Sequence, residues 1–332
     1  MEKRGRVASV QDRIEEALRD ACWSPEMRNA DLSSPTASTA SITGSALASC
    51  LDGDFVNCWM LMTGGSSGIG LSVATHLVKH GAKVMIADLS SPKEPIPGCS
   101  FHQTDVTSWA SLLSLFDETM KTLGGIDIVC ANAGIMEGDQ PFEDRVDVRG
   151  IPVEPKHLSV HVNLIGAMNT VKLAIHFFKK TKTQGSIVIT GSLASYDSHG
   201  IPAYAASKHG VIGLMRGLRD YLPKFDITIN AVAPGFTDTR IFPVSNAMET
   251  LKNAHVKIQH PDAVALAILA LAQERDWNGK SIGIVDGKYW ELEESVAKGL
   301  HDAMEGGQNN AERRKVGGQV LAATEKVMYT VI

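Results

Sequence analysis

The stretch Cys58-Trp59-Met60-Leu61-Met62-Thr63-Gly64-Gly65-Ser66-Ser67-Gly68-Ile69-Gly70 decides the fold. Its first five residues read as a buried strand. The glycines that follow read as a tight turn, and from Gly68 to His80 apolar residues recur at helical spacing. A strand that passes through glycine straight into a helix leaves the amides of the helix start unobstructed. Those amides, aided by the helix dipole, bind negative charge such as a diphosphate. A glycine-rich run alone is a weak signal, and its place between strand and helix is what makes it specific.

Outward from this turn the chain alternates short apolar runs with amphipathic stretches. Strands are expected at Lys83–Ala87, Ser100–Gln103, Ile126–Cys130, Ser186–Thr190, Ile227–Val232 and Ser281–Val285. Helices are expected at about Ser108–Leu123, His157–Lys180, Tyr204–Tyr221 and Asp262–Gln273. Repeated strand–helix–strand units give a parallel sheet covered by helices on both faces. Crossovers of a single hand then make it an α/β doubly wound fold.

Asp88 closes the second strand, 18 residues beyond Gly70. An acid about 20 residues past such a turn bonds the adenosine ribose hydroxyls and repels a 2′-phosphate, so NAD is expected over NADP. Leu89 follows it, and Ser66 and Ser67 bring no cation to the turn. The alternative is a solvated turn residue. Asp105 and Val106 end the third strand, where adenine would lie, and Asn132-Ala133-Gly134 follows the fourth. These small residues suit close cofactor approach, although an ordinary turn uses them too.

Tyr204 and Lys208 stand four residues apart, on one face of a helix. A phenol with a reference pKa of about 10 becomes a useful base only when a nearby cation stabilises its phenolate. By itself the pair fits an exposed helix equally well. The glycine turn, Asp88 and an upstream serine, Ser192, place it in a larger arrangement.

Composition excludes other classes. The 332 residues are 44% hydrophobic, ample for a core, and the formal charge of −5 comes with 32 scattered basic residues, which is no nucleic-acid footprint. Five cysteines lack metal or disulfide spacing, so no metal is expected and reduced thiols in a cytoplasmic protein are. The longest apolar stretch, Ala263 to Ala272, is about half what a membrane span needs. The first residues lack the apolar core of a secretory signal.

Three regions are expected. Residues 1–53 read as an extension, with a short amphipathic helix over residues 8 to 21 and a Ser/Thr/Ala-rich tether from Asp31 to Cys50. Residues 54–290 carry the strand–helix pattern, and 291–332 read as a peripheral helix and tail.

Taken in order, Thr63-Gly64…Gly68-Ile69-Gly70, Asn132-Ala133-Gly134, Asn163, Ser192, Tyr204…Lys208 and Pro234-Gly235 resemble the short-chain dehydrogenase/reductase family. The resemblance covers roughly Cys58 to Gly287 and implies a single Rossmann domain with a seven-stranded parallel sheet. It further implies that Tyr204 is the general acid/base and that Lys208 lowers its pKa and holds the nicotinamide ribose. Ser192 would bond the substrate oxygen, and Asn163 would hold a water connecting Lys208 to solvent. Without the family, Asn163 reads as a helix-bending residue satisfied by backbone.

Pro234, Gly235 and Thr237 would seat the nicotinamide amide and begin a substrate loop to about Gln259. Phe236, Ile241, Phe242 and Val244 would line a hydrophobic pocket or pack the loop onto the body. His199 is a candidate pocket residue or merely exposed.

Two departures stand out. Ser192 precedes Tyr204 by 12 residues, one fewer than in many relatives, and the first strand has Trp and Met where Val and Ile are usual. The sequence after Tyr204 looks like the branch containing 15-hydroxyprostaglandin dehydrogenase and microbial alcohol dehydrogenases. The implied function is NAD-dependent interconversion of a secondary alcohol and a ketone on a lipid or natural-product alcohol. A ketoreductase running in reverse and a catalytically silent NAD-binding protein are the alternatives. A homodimer or homotetramer is implied, paired through the helices of Asn163 and Tyr204, with Ile212, Leu214 and Met215 lining that contact or the core.

Overall fold

β-branched and sulfur-containing apolar residues alternate along short segments that cannot be helices, and they assemble into one nine-stranded sheet. The computed structural model describes residues 41–42, 55–136, 141–197, 200–242 and 247–297. The strands are β1 (Ser41–Ile42), β2 (Trp59–Thr63), β3 (Lys83–Asp88), β4 (Cys99–Gln103), β5 (Ile128–Ala131), β6 (Gly185–Thr190), β7 (Ile227–Pro234), β8 (Ser281–Val285) and β9 (Lys288–Glu291). Their order is β1-β9-β8-β7-β6-β5-β2-β3-β4. The seven from β8 to β4 are mutually parallel, as expected. β2 stands where the strand order reverses, which puts the glycine turn at the crevice where ligands bind in such sheets.

The helices are α1 (Gly68–Lys79), α2 (Trp109–Leu123), α3 (Ala167–Thr181), α4 (Pro202–Leu218), α5 (Ala247–Asn253) and α6 (Pro261–Gln273). β2 shows why the fold is doubly wound. Leu61 faces the layer containing Phe116 of α2, Phe178 of α3 and Met215 of α4. Met60 and Met62 face the opposite layer, with Leu77 of α1 and Ile268 of α6. All three strand residues are fully buried, so apolar character on both faces is required, and Met meets it as Val would. Trp59 is accommodated because Gly125 lies against it. A Cβ there would come within 2.8 Å of the indole.

Several features differ from the expectation. β9 is an added antiparallel strand, joined to β8 by Asp286-Gly287, with φ of 52° and 68°. Two successive positive φ values make the tight hairpin turn for which Asp-Gly is suited. Ser41–Ile42 pairs antiparallel with β9. The long helix expected at His157–Lys180 contains a π-helical turn over Val160–Gly166 before α3. Ile212 and Met215 are buried in the core of the chain, whereas Leu158, Ile165 and Met168 are the exposed apolar residues around α3.

This unit ends at Glu291, and from Leu292 the chain forms a second, in which residues 293–297 are helical. The helix expected over 8 to 21, His199, Val244, the tether apart from Ser41–Ile42 and the tail beyond 297 lie outside the described residues. Among the described residues no helix is long and apolar enough to cross a membrane.

Candidate active site

The cradle at the end of β2 is shaped by missing side chains. Gly64 has φ of 66°, and a Cβ on it would lie 2.8 Å from the Ala133 backbone. A Cβ on Gly70 would collide with the Gly64 carbonyl and with the Asn132 amide. α1 begins at Gly68 with Ser67 as its N-cap, and no side chain caps its first amides. Those donors need a partner. Among the described residues the buried Ser66 hydroxyl has no hydrogen-bond partner. Ile69 packs beside the core of the α1 face.

Asp88 sits across the turn. Its carboxylate accepts from the Ser66 amide at 3.1 Å and the Leu89 amide at 2.8 Å, so the acid is fixed beside the glycine loop. Asp105 is exposed, and one carboxylate oxygen accepts from the Thr107 amide and hydroxyl at 2.8 and 2.7 Å. Val106 is buried against Gly166. Open amides, an orphaned hydroxyl and a cradle that any Cβ would fill all fit a dinucleotide's diphosphate, and the anchored carboxylate fits its ribose.

Asn132 lines that cradle and also braces it. Its Nδ2 donates to the Thr63 and Gly64 carbonyls at 3.1 Å each, and its Oδ1 accepts from the Thr190 hydroxyl at 3.0 Å. Its amide therefore clamps β2, β5 and β6 together where they meet the glycine turn.

The catalytic candidates converge from β6 and α4. Ser192 leaves β6 as the N-cap of a short 3-10 turn, Leu193–Ser195, and its hydroxyl accepts from the Ala194 amide at 3.1 Å. Pro202 starts α4, which puts Tyr204 in its first turn and Lys208 one turn on. Tyr204 is 5% exposed and Lys208 2%. Burial pushes the Tyr204 phenol up to about 12, and a hydrogen bond with Ser192 pulls the other way. Burial pushes the Lys208 ammonium down to about 8.

Lys208 Nζ lies 5.7 Å from the Tyr204 ring centre and donates to the Thr190 carbonyl at 2.8 Å. Two influences act on the Tyr204 phenol. Desolvation dominates, and Ser192 is the group that opposes it.

Asn163 lies within the π-helical turn. Its Oδ1 accepts from the Ile135 amide at 2.8 Å, and its Nδ2 donates to the Ile135 carbonyl at 2.9 Å and the Ser207 hydroxyl at 3.0 Å. Ser207 in turn donates to the Tyr204 carbonyl at 2.7 Å. The side chain therefore ties the end of β5 to the catalytic helix. Gly134 fits between Asn163 and Lys208, since a Cβ there would be 3.3 Å from the Asn163 oxygen and 3.4 Å from Lys208 Nζ.

After β7, the Gly235 amide donates to the Ile284 carbonyl at 2.8 Å, and the Thr237 hydroxyl donates to the Gly235 carbonyl at 3.0 Å. Gln259, which the sequence marks only as a loop end, is 5% exposed. Its amide donates to Thr237 Oγ1 and the Ile284 carbonyl at 3.2 and 3.1 Å, holding the Pro234-Gly235 turn. Thr239 lies against Gly68 at the start of α1, another contact the sequence does not reveal. Phe236 and Phe242 stack with ring centres 6.2 Å apart.

Comparison with known proteins bears on the same span. Residues 58–250 match the family model for short chain dehydrogenases. Short-chain dehydrogenase/reductase prx4 of Penicillium roqueforti is 37% identical over 74% of this chain and 79% of its own length. NADP-dependent dehydrogenase M3 of a Phoma species is 32% identical over 69% of this chain and 74% of its own. (+)-Borneol dehydrogenase 1 of Salvia officinalis is 34% identical over 69% of this chain and 92% of its own. With the match running through the cradle and through Tyr204 and Lys208, the chain belongs to the short-chain dehydrogenase/reductase family, oxidoreductases that act on alcohols and ketones with NAD(P)(H).

Proposed function

We propose that this protein interconverts a secondary alcohol and a ketone on a largely hydrophobic small molecule, a lipid or natural-product alcohol, with NAD preferred. The observation that carries this reading is the hydrogen bond between Ser192 and Tyr204, with Tyr204 and Lys208 both buried. A bound nicotinamide supplies the hydride acceptor or donor. The uncapped amides at the start of α1, from Gly68 to Gly70, and the Ser66 hydroxyl would hold the diphosphate, and Asp88 the adenosine ribose. Asp105 and Val106 would flank the adenine, with Pro234, Gly235 and Thr237 beside the nicotinamide.

Ser192 orients the substrate oxygen, and Tyr204 moves the proton at that oxygen. Lys208 supplies positive charge that stabilises the phenolate as it forms, and with three donors it would hold the nicotinamide ribose as well as the Thr190 carbonyl. Because the Asn163 amide is engaged with Ile135 and Ser207, a relay water would meet its backbone. The stacked Phe236 and Phe242 give the substrate loop an apolar face, and the likeness to a borneol dehydrogenase supports a hydrophobic alcohol. Association through α3 and α4 into a homodimer or homotetramer, in the cytoplasm, belongs to the same reading.

A second reading, ketone reduction with NADPH, is favoured by the likeness to an NADP-dependent relative. Fluorescence of the reduced cofactor, followed with alicyclic and aliphatic secondary alcohols and ketones, tests both. Faster turnover with NAD than with NADP is expected, and Asp88→Arg should reverse that order. Indifference to Asp88→Arg would remove Asp88 from cofactor selection. Absence of turnover on every alcohol and ketone with either cofactor would overturn the dehydrogenase reading.

A further inference from the structure

The geometry points to Thr190 as a positioning residue that couples the dinucleotide cradle to the catalytic lysine, an inference that rests on the dehydrogenase reading for its role in turnover. Thr190 is the last residue of β6, 8% exposed, and it uses both of its polar ends. Its carbonyl accepts from Lys208 Nζ at 2.8 Å. Its hydroxyl donates to Asn132 Oδ1 at 3.0 Å.

The second bond fixes which way the Asn132 amide faces. With Oδ1 taken by a hydroxyl donor, Nδ2 must point to the carbonyls of Thr63 and Gly64, at 3.1 Å each. Gly64 is the first glycine of the cradle, and its carbonyl is the atom against which Gly70 has no room for a Cβ. One continuous chain of hydrogen bonds therefore runs from Lys208 through Thr190 and Asn132 to the glycine loop. The members come from α4, the end of β6, the residue after β5 and the end of β2, so local sequence cannot hold them in place. A threonine at the strand end holds the lysine on one side and sets the loop on the other.

Thr190→Val keeps the shape and the carbonyl but removes the hydroxyl, leaving Asn132 Oδ1 without its donor. NADH affinity, read by fluorescence titration without any alcohol, is expected to weaken by about tenfold, the factor that one buried hydrogen bond of ordinary strength represents. Thr190→Ser, which restores the donor, should return affinity to that of the unaltered protein. In an Asn132→Ala background, Thr190→Val should add little further loss, because the two act through one bond.

The proposal is overturned if Thr190→Val binds NADH as tightly as the unaltered protein while remaining folded by circular dichroism. It is equally overturned if Thr190→Ser is as impaired as Thr190→Val, or if the two losses simply add. Because NADH titration needs no turnover, these outcomes decide the coupling even if the secondary-alcohol reading fails. In turnover, the effect should appear in KM for NAD more than in kcat.

Discussion

The cofactor side and the catalytic side of this site are built by opposite means. Around the glycine turn the structure works by subtraction. Side chains are absent at Gly64 and Gly70, the first amides of α1 have no side-chain cap, and among the described residues the Ser66 hydroxyl has no partner. Around Tyr204 it works by burial of groups that prefer water, with the phenol pushed up to about 12 and the ammonium down to about 8. The first region gains by leaving room for a ligand. The second holds its groups away from their ordinary protonation behaviour, since burial brings the Lys208 ammonium closer to neutral pH and takes the Tyr204 phenol further from it.

The contrast can be broken most sharply at Tyr204. Tyr204→Phe should lower kcat by roughly 10²- to 10⁴-fold, the range of general acid–base catalysis, with NADH affinity unchanged in fluorescence titration. Equal turnover by both proteins would remove Tyr204 from the mechanism. A smaller and opposite pattern is expected at Gly70→Ala. The added methyl meets the Gly64 carbonyl and should cost about 1–3 kcal/mol of stability in urea denaturation, together with a loss of cofactor affinity. If Gly70→Ala binds NADH normally, the cradle is not the dinucleotide site.

The smallest effect concerns pH. The folded protein holds the Lys208 proton less tightly than the unfolded chain, whose lysine titrates near 10.4. Between about pH 8 and 10 the unfolded state therefore binds more protons, and stability should rise with pH by at most about 1.4 kcal/mol per unit. Tyr204, raised above its free value, acts with the opposite sign only above about pH 10. Lys208→Met should flatten the rise, as urea midpoints at pH 8 and 9.5 would show; an equal rise in the variant would assign it elsewhere.

The same contrast explains what the sequence made legible. The parallel sheet, the glycine turn and Asp88 could be read because their signals are local. Apolar runs, a turn between strand and helix, and an acid at fixed spacing each appear within a short window. Ser192, Tyr204 and Lys208 were identifiable through the family resemblance, since a tyrosine and a lysine four apart are otherwise ordinary. What escaped depends on long-range contacts. Asn163 meets Ile135 across 28 positions, and Thr190 meets Asn132 across 58. Gln259 reaches Thr237 only because the loop between them returns to its start. The β8–β9 hairpin is a different case, because Asp286-Gly287 is a local turn signal that was present in the chain.

The π-helical turn at Val160–Gly166 has a consequence for how this chain tolerates insertion and deletion. A wide turn carries about one residue more than a regular helix of the same rise. Removing a single residue there would return the turn to regular helical spacing with the flanking faces kept in phase, whereas removing one from α3 would swing its two sides by about 100° around the helix axis. Ser159, now buried, and Leu158, now exposed, would keep their present faces in the first case and leave them in the second. The segment that carries Asn163 is thus a joint that absorbs a change of one in length which the neighbouring helix would pass on.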